Sequence, residues 1–432
     1  MKKNTLVAMA SIASLCFLMP SCSTNYFDQE RYESIIDEVF PVDIIDKDHD
    51  WNLLRNITAV VDLTKAPPVN FVVNIYDKHP FDPSACKLAT GSVNREGLLT
   101  FNVPKDKKYG ELYATVDDGT LCVAQGYFPV DNDVVRISAG DEITALTPSE
   151  ASSPEYTFCF EETFPEPGDF DYNDCVMGVT MTKSPKVLNG KGNFIDFTVR
   201  LRAVGGSKTI ASAMRLAGVS KSDVVDTVAI INKSWDFFKY AVDYLEDPMG
   251  KVKTAMNGDA VIYLFNDAHY ALNGGRLDET GTMVPHYTIN TMAEKLMPDW
   301  ESATPVSTTY RVSFKDEFVF NNFTFKDIDL FIITGYNMSY YETHIHSYVG
   351  VNVLNNYPCN IDYLPWALLV PDKFVYPNEG VCICKYTKDL NYFEGAYQMG
   401  SYSFGAWAKD HNNSKACAWY HYPIESEVYP AN

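Results

Sequence analysis

The chain has 432 residues, with 56 Asp and Glu against 35 Lys and Arg and a net charge of −21. Binding a phosphate backbone takes clustered cations, so this balance excludes nucleic acid as a partner, whereas acidic loops favour cations. Its 28 Tyr and 25 Phe fall among β-branched residues that alternate with polar ones, which argues for a mainly β fold, and the length exceeds what one core usually holds.

The first segment, Met1-Lys2-Lys3-Asn4 followed by an apolar run from Thr5 to Met19, has the shape of a secretory signal. That run falls short of the ~20 residues a helix needs to cross a bilayer. It ends in Leu18-Met19-Pro20-Ser21-Cys22, which resembles a lipobox, although Met19 and Pro20 are less usual within one. The resemblance implies cleavage after residue 21, lipidation of Cys22 and a membrane as the first partner. Ser23 after the Cys, rather than Asp, resembles the sorting rule for outer-membrane lipoproteins, so the expected place is the outer membrane, at the cell surface. Removing residues 1–21 takes away Lys2 and Lys3 and no acid, which leaves the exported chain more acidic still.

Residues 22–45 read as a tether with one short helix around Tyr32 to Val39. From 46 to 147, strand candidates at Ile57 to Leu63, Asn70 to Tyr76, Leu98 to Val103, Glu111 to Val116, Leu121 to Phe128 and Val134 to Ile137 are separated by turn residues at the spacing of an immunoglobulin-like β-sandwich. The Ser- and Pro-rich stretch Thr147 to Pro154 marks a joint. A larger β domain of sandwich or jelly-roll type is expected over 155–432, with strands at Thr157 to Glu161, Asp174 to Thr182, Asn193 to Ala203, Ala260 to Phe265, Thr308 to Phe314, Ile328 to Thr334 and Trp366 to Leu369, and a helical turn at Thr291 to Leu296.

Eight cysteines follow Cys22. Disulfides are permitted in an exported chain, for example between Cys86 and Cys122, but the connectivity is not deducible. Cys382-Ile383-Cys384 makes a poor zinc knuckle, because one intervening residue in a strand sends the thiols to opposite faces.

The densest group of oxygen ligands is the run from Phe160 to Asp174. Asp169, Asp171 and Asn173 recur at every second position after Gly168, with Phe170 and Tyr172 between them facing inward, and Glu161, Glu162 and Asp174 are the nearest further carboxylates. Such an array suits calcium, which takes six to eight oxygens at flexible geometry. It is no EF-hand, since Asp174 stands where that loop needs Gly and Thr180 where it needs Glu. The alternative is a solvated acidic turn with Asx hydrogen bonds.

The same run, Phe160-Glu161-Glu162 and then Gly168-Asp169-Phe170-Asp171-Tyr172-Asn173-Asp174, resembles the signature of the LruC domain, a family of exported bacterial proteins without known activity. Leu201-Arg202-Ala203-Val204-Gly205 and Ala260 to Asp267 are similar to two of its strand ends, and Leu364-Pro365-Trp366-Ala367-Leu368, Pro371, Phe374, Tyr376-Pro377, Glu379, Phe404, Trp407 and Trp419 to its closing pattern. Glu162 departs from it, standing where an Asp is usual. The resemblance covers residues 158–420 and implies a β-rich fold with a calcium loop.

Glu342-Thr343-His344-Ile345-His346 places three potential zinc or iron ligands on one strand face, although a His-x-His is more often packing or hydrogen bonding. No nucleophile elbow, His-Glu-x-x-His or phosphate-cradling loop is present, so an enzyme is not expected, though the many acids leave a carboxylate-pair hydrolase open. Trp366, Trp407 and Trp419 could stack on a sugar, against the simpler reading that they fill the core. The two functions left are a binding or assembly module that meets a cell-surface protein, and a glycan binder.

Overall fold

The computed structural model describes residues 29–42, 44–147, 149–233, 252–273, 288–292, 300–336, 339–348, 364–387 and 402–430, with short strands at 276–277 and 283–284 and the single residue Val353. The signal segment, Cys22, Cys359 and the expected helical turn beyond Met292 lie outside the described residues.

The fold is mainly β. Eight strands make up the first unit: β1 (Leu54–Asp62), β2 (Phe71–Tyr76), β3 (Lys87–Val93), β4 (Glu96–Pro104), β5 (Glu111–Asp117), β6 (Leu121–Asp131), β7 (Val134–Ser138) and β8 (Thr144–Ala145). They run in the order β3-β2-β5-β6-β7-β1-β4, with β8 paired to β6. β6 passes from one leaf to the other. Its residues 122–129 pair with β5, and Val130 and Asp131 pair with β7. The result is a nearly closed, barrel-like sandwich. Period-two burial explains it: along β1, Ile57, Ala59 and Val61 point inward to meet Phe71, Val73, Leu99, Phe101 and Val135.

The second unit stacks two sheets. One contains β9 (Glu155–Phe160), β10 (Cys175–Ser184), β11 (Asn193–Val204), β13 (Ala229–Ile231), β18 (Thr288–Ile289), β19 (Trp300–Glu301), β20 (Val306–Phe314) and β23 (Ala367–Pro371), in the main order β13-β20-β11-β10-β9-β23. The other is β14-β15-β12-β21-β22, built from β12 (Ile210–Ser220), β14 (Lys253–Thr254), β15 (Asp259–Phe265), β21 (Ile328–Tyr336) and β22 (Ser339–His344), while β16 (Arg276–Leu277) and β17 (Met283–Val284) form a separate pair. Phe158, Met177, Phe197, Met214, Ile262 and Leu330 fill the space between the two sheets. Four short helices complete this part of the chain: α2 (Lys186–Asn189), α3 (Ala268–Asn273), α4 (Glu317–Asn322) and α5 (Phe404–Lys409). Through α4, Asn321 and Glu317 bond Ser92 of β3 and so join the two units.

A third layer covers the outer face of the larger sheet. Cys159, Val176, Ala203, Leu368 and Val370 of that face pack against Trp366, Phe374, Tyr386, Phe404, Trp407 and Trp419. The amino-terminal segment belongs to this layer. Helix α1 (Gln29–Val39) and the residues after it bury Ile36, Phe40, Trp51 and Leu53 there, so the part of the expected tether from Ile36 on is core, because its apolar residues meet aromatic partners that lie hundreds of residues away.

The seven described cysteines are free thiols, and Cys86 and Cys122 are not joined. Cys382 caps a 3₁₀ turn, Ile383–Lys385, that contains Cys384 and is no strand, and the Cys384 N–H donates to Cys382 Sγ at 3.4 Å.

Candidate metal centre

β9 and β10 are antiparallel neighbours, with Cys175 opposite Phe160, and residues 161–174 connect them. A connection of this length in a compact sheet usually has a task of its own. Its aromatic residues anchor it. Phe164 and Phe170 each lie 5.3 Å from the Trp366 ring, and Phe170 and Tyr172 are fully buried although their φ values are +52° and +57°. Left-handed backbone costs an aromatic residue on the order of 1 kcal/mol or more, and burial of the rings offsets it here. Asp169 and Asp171, on either side of Phe170, come together with Glu161, whereas the Asn173 amide nitrogen turns to the Pro377 carbonyl.

One oxygen each of Glu161, Asp169 and Asp171 lies within 4.8 Å of the other two, with Glu161 and Asp171 buried and Asp169 exposed. The Tyr172 N–H donates to Glu161 Oε1 (2.7 Å), while Glu161 Oε2 finds no hydrogen-bond partner among the described residues. The Thr163 hydroxyl is equally without one. Gly168 faces this pair: a Cβ there would stand 2.6 Å from Glu161 Oε2 and from Thr163 Oγ1. Asp171 accepts from the Asn173 N–H (3.1 Å) and the Gly380 N–H (2.7 Å), and Asn173 Nδ2 donates to the Pro377 carbonyl (3.3 Å). Residues 377–380 are therefore the second wall of the site. They bring Glu379, whose Oε2 is also buried without a hydrogen-bond partner among the described residues.

Burial, followed by the charges of Asp174 and Asp169, pushes Glu161 well above the usual carboxylate range. Asp171 rises likewise through burial and then the Asp169, Glu161 and Asp174 charges, Asp174 through burial and Glu162, and Glu379 to about 7 through burial and Asp169. The leading charges acting on these four groups are thus all of one sign. Such a set is stable only if protons or a cation compensate it.

Two of the six expected ligands have other engagements. Both Glu162 oxygens accept backbone N–H groups, Oε1 from Ser207 (2.8 Å) and Oε2 from Lys208 (2.8 Å), and Lys208 Nζ reaches the Glu162 carbonyl (3.2 Å). Asp174 Oδ2 accepts the Glu162 N–H (2.7 Å). Glu162 thus holds the 206–208 turn, whereas Glu161, Asp169 and Asp171 converge. The oxygens available are all hard and include no thiolate or imidazole, a set that fits calcium.

Other candidates resolve differently. Trp366, Trp407 and Trp419 are fully buried in the aromatic layer and present no ring face to a sugar, which corrects their reading as ligand-binding residues. In the Glu342-to-His346 run, His344 Nδ1 faces Asp329 (2.8 Å) and its Nε2 faces Glu342 (3.3 Å). Burial alone would lower its pKa, but the Asp329 and Glu342 carboxylates raise it to about 9. Both ring nitrogens are thus taken by carboxylates, and Glu342, His344 and His346 do not converge as a three-ligand group among the described residues. Asp329 also accepts from Arg215 Nε (2.8 Å), and Arg215 reaches on to Asp259 (2.8 Å), making one buried ion network on the smaller sheet.

No curated protein matches the chain in sequence. A crystal structure of a candidate lipoprotein from Bacteroides ovatus aligns over 84% of this chain and 99% of its own, at 15% identity and a TM-score of 0.43, too loose a likeness to carry an inference. The family model described as a domain of unknown function, DUF4842, matches residues 194–420, which include the turn at Gly205 to Lys208 and the 377–383 wall of the site. The chain is therefore a member of the DUF4842 family.

Proposed function

We propose that this chain is an exported, lipid-anchored module of the outer membrane whose 161–174 loop holds calcium as a structural brace, and that it works at the cell surface by binding or assembling with another protein. The observation that carries the metal reading is Glu161, whose carboxylate converges with those of Asp169 and Asp171 and whose Oε2 is a buried acceptor without a hydrogen-bond donor among the described residues. An orphaned buried carboxylate oxygen costs several kcal/mol unless something positive meets it. The role is structural because the ligands rigidify a loop that is packed on both sides. The lipobox at Cys22 and the signal shape before it support export and anchoring, and no helix among the described residues is long and apolar enough to cross a membrane. The LruC resemblance of the loop points the same way. With the three tryptophans buried, the residues that suggested the glycan reading no longer support it.

Calorimetric melting with calcium and with a chelator tests the brace. Calcium at 100 times its dissociation constant adds about 2.7 kcal/mol, a shift of several degrees in a chain of this size. Wild type is expected to show it and Asp171→Asn to lose it; equal midpoints in all four measurements would sink the proposal. Cross-linking on intact cells should capture a protein neighbour, and loss of membrane attachment in Cys22→Ala checks the anchor.

A further inference from the structure

Beside the Glu161, Asp169 and Asp171 oxygens lies a second convergence that the first leaves unexplained. Asn173 is fully buried, its amide nitrogen is used by the Pro377 carbonyl, and its Oδ1 has no hydrogen-bond partner among the described residues. Glu379 Oε2 arrives from the opposite wall in the same condition. Both oxygens crowd one point above Gly205, where a Cβ would stand 3.0 Å from Glu379 Oε2 and collide with Asn173 Oδ1. An ionised Glu379 and the Asn173 amide oxygen repel each other unless a proton or a cation lies between them.

A cation between the two oxygens would satisfy both lone pairs at once. The volume adjoins the Glu161, Asp169 and Asp171 cluster, because the Gly380 N–H beside Glu379 donates to Asp171 Oδ2 at 2.7 Å. Asp171 stands between the two ends: one of its oxygens belongs to the Glu161 and Asp169 cluster, while Oδ2 takes the N–H of Gly380, next to Glu379.

We infer that the loop holds two calcium ions, one on Glu161, Asp169 and Asp171 and a second on Asn173 Oδ1 and Glu379 Oε2, with Asp171 between them. This rests on the calcium reading above and extends it to a paired site that ties the loop to the 377–380 wall.

Native mass spectrometry and equilibrium dialysis of the full chain with calcium alone give the test. Two ions are expected in wild type, one in Glu379→Gln and one in Asn173→Ala, whereas Glu161→Gln should lose the ion at the other end. Circular dichroism establishes that each variant is folded, and the wild-type count stands whatever the variants do. One ion in wild type, or two retained in folded Glu379→Gln, overturns the paired site and leaves the single brace intact. No bound calcium in wild type overturns both readings.

Discussion

The ring of Phe40 lies 5.0 Å from the ring of Phe170, so the first helix of the chain and the residues after it back the acidic loop from behind. Phe170 is one of two aromatic residues held at positive φ there, and Phe40 also touches Phe404 at 5.9 Å. Phe40→Ala should therefore do two things. It should cost about 3–5 kcal/mol, the usual loss for a large side chain deleted from a core. It should also weaken calcium binding, because Phe170 loses the contact that offsets its strained backbone. Urea melts and calcium titrations measure the two effects; an unchanged affinity in the folded variant would mean that the helix stabilises without shaping the loop.

Glu162 and Asp171 are neighbours in the acidic run but should behave as opposites. Glu162→Gln is expected to lose about 1–3 kcal/mol, through the amides of Ser207 and Lys208, with bound calcium unchanged. Asp171→Asn should lose calcium. Should Glu162→Gln lose an ion while remaining folded, that side chain is a ligand after all.

Gly168→Ala probes the approach of loop to ligand. Its Cβ would stand 2.6 Å from Glu161 Oε2 and from Thr163 Oγ1, so both must withdraw from the site. The expected outcome is calcium affinity reduced at least roughly tenfold, about 1.4 kcal/mol, by titration. An affinity equal to wild type would show that Glu161 Oε2 is not a ligand.

Two buried histidines give stability opposite dependences on pH. His344 titrates at about 9 in the folded chain, against 6.5 for an ordinary histidine, so its contribution is full below pH 6.5 and is lost as pH rises from there through about 9. His49, which accepts the Trp51 N–H at Nδ1 and donates to the Trp407 carbonyl from Nε2, is held down to about 4 by burial. Its contribution is present above pH 6.5 and is lost as pH falls from there to about 4. Every tenfold change in proton affinity between the unfolded and folded chain corresponds to about 1.4 kcal/mol. Urea midpoints across pH at saturating calcium should fall on both sides, with His344→Gln flattening the alkaline limb and His49→Gln the acid limb; limbs that survive these changes belong to other groups.

Much of this architecture is legible in the residues themselves. β1, β5 and β20 announce themselves through alternation, and in the loop the expected inward turn of Phe170 and Tyr172 is present although their backbone is left-handed. β3 is harder to see, since Ala89, Gly91 and Ser92 offer little apolar signal; Gly91 is small because Leu99 occupies the space a side chain would need. β12, Ile210 to Ser220, is rich in Ala and Ser, which disfavour strands on their own. Burial on both faces overrides that preference: Met214 and Leu216 face one core, and Ala211 and Ala213 another. That the 377–380 wall meets the loop is hidden for a different reason. Gly380 meets Asp171 across 209 residues, and no local pattern encodes such a meeting. Trp366, Trp407 and Trp419 could be read as stacking platforms because residue type alone does not say which side of a layer it fills.

The docking of α1 also alters what an anchor at Cys22 would mean. With Gln29 already in the helix, seven peptide steps remain to reach it from Cys22, about 25 Å at full stretch. A lipid there would be a short leash. It would keep the face that carries α1 turned toward the bilayer, so a protein arriving from outside would meet the opposite side of the body first.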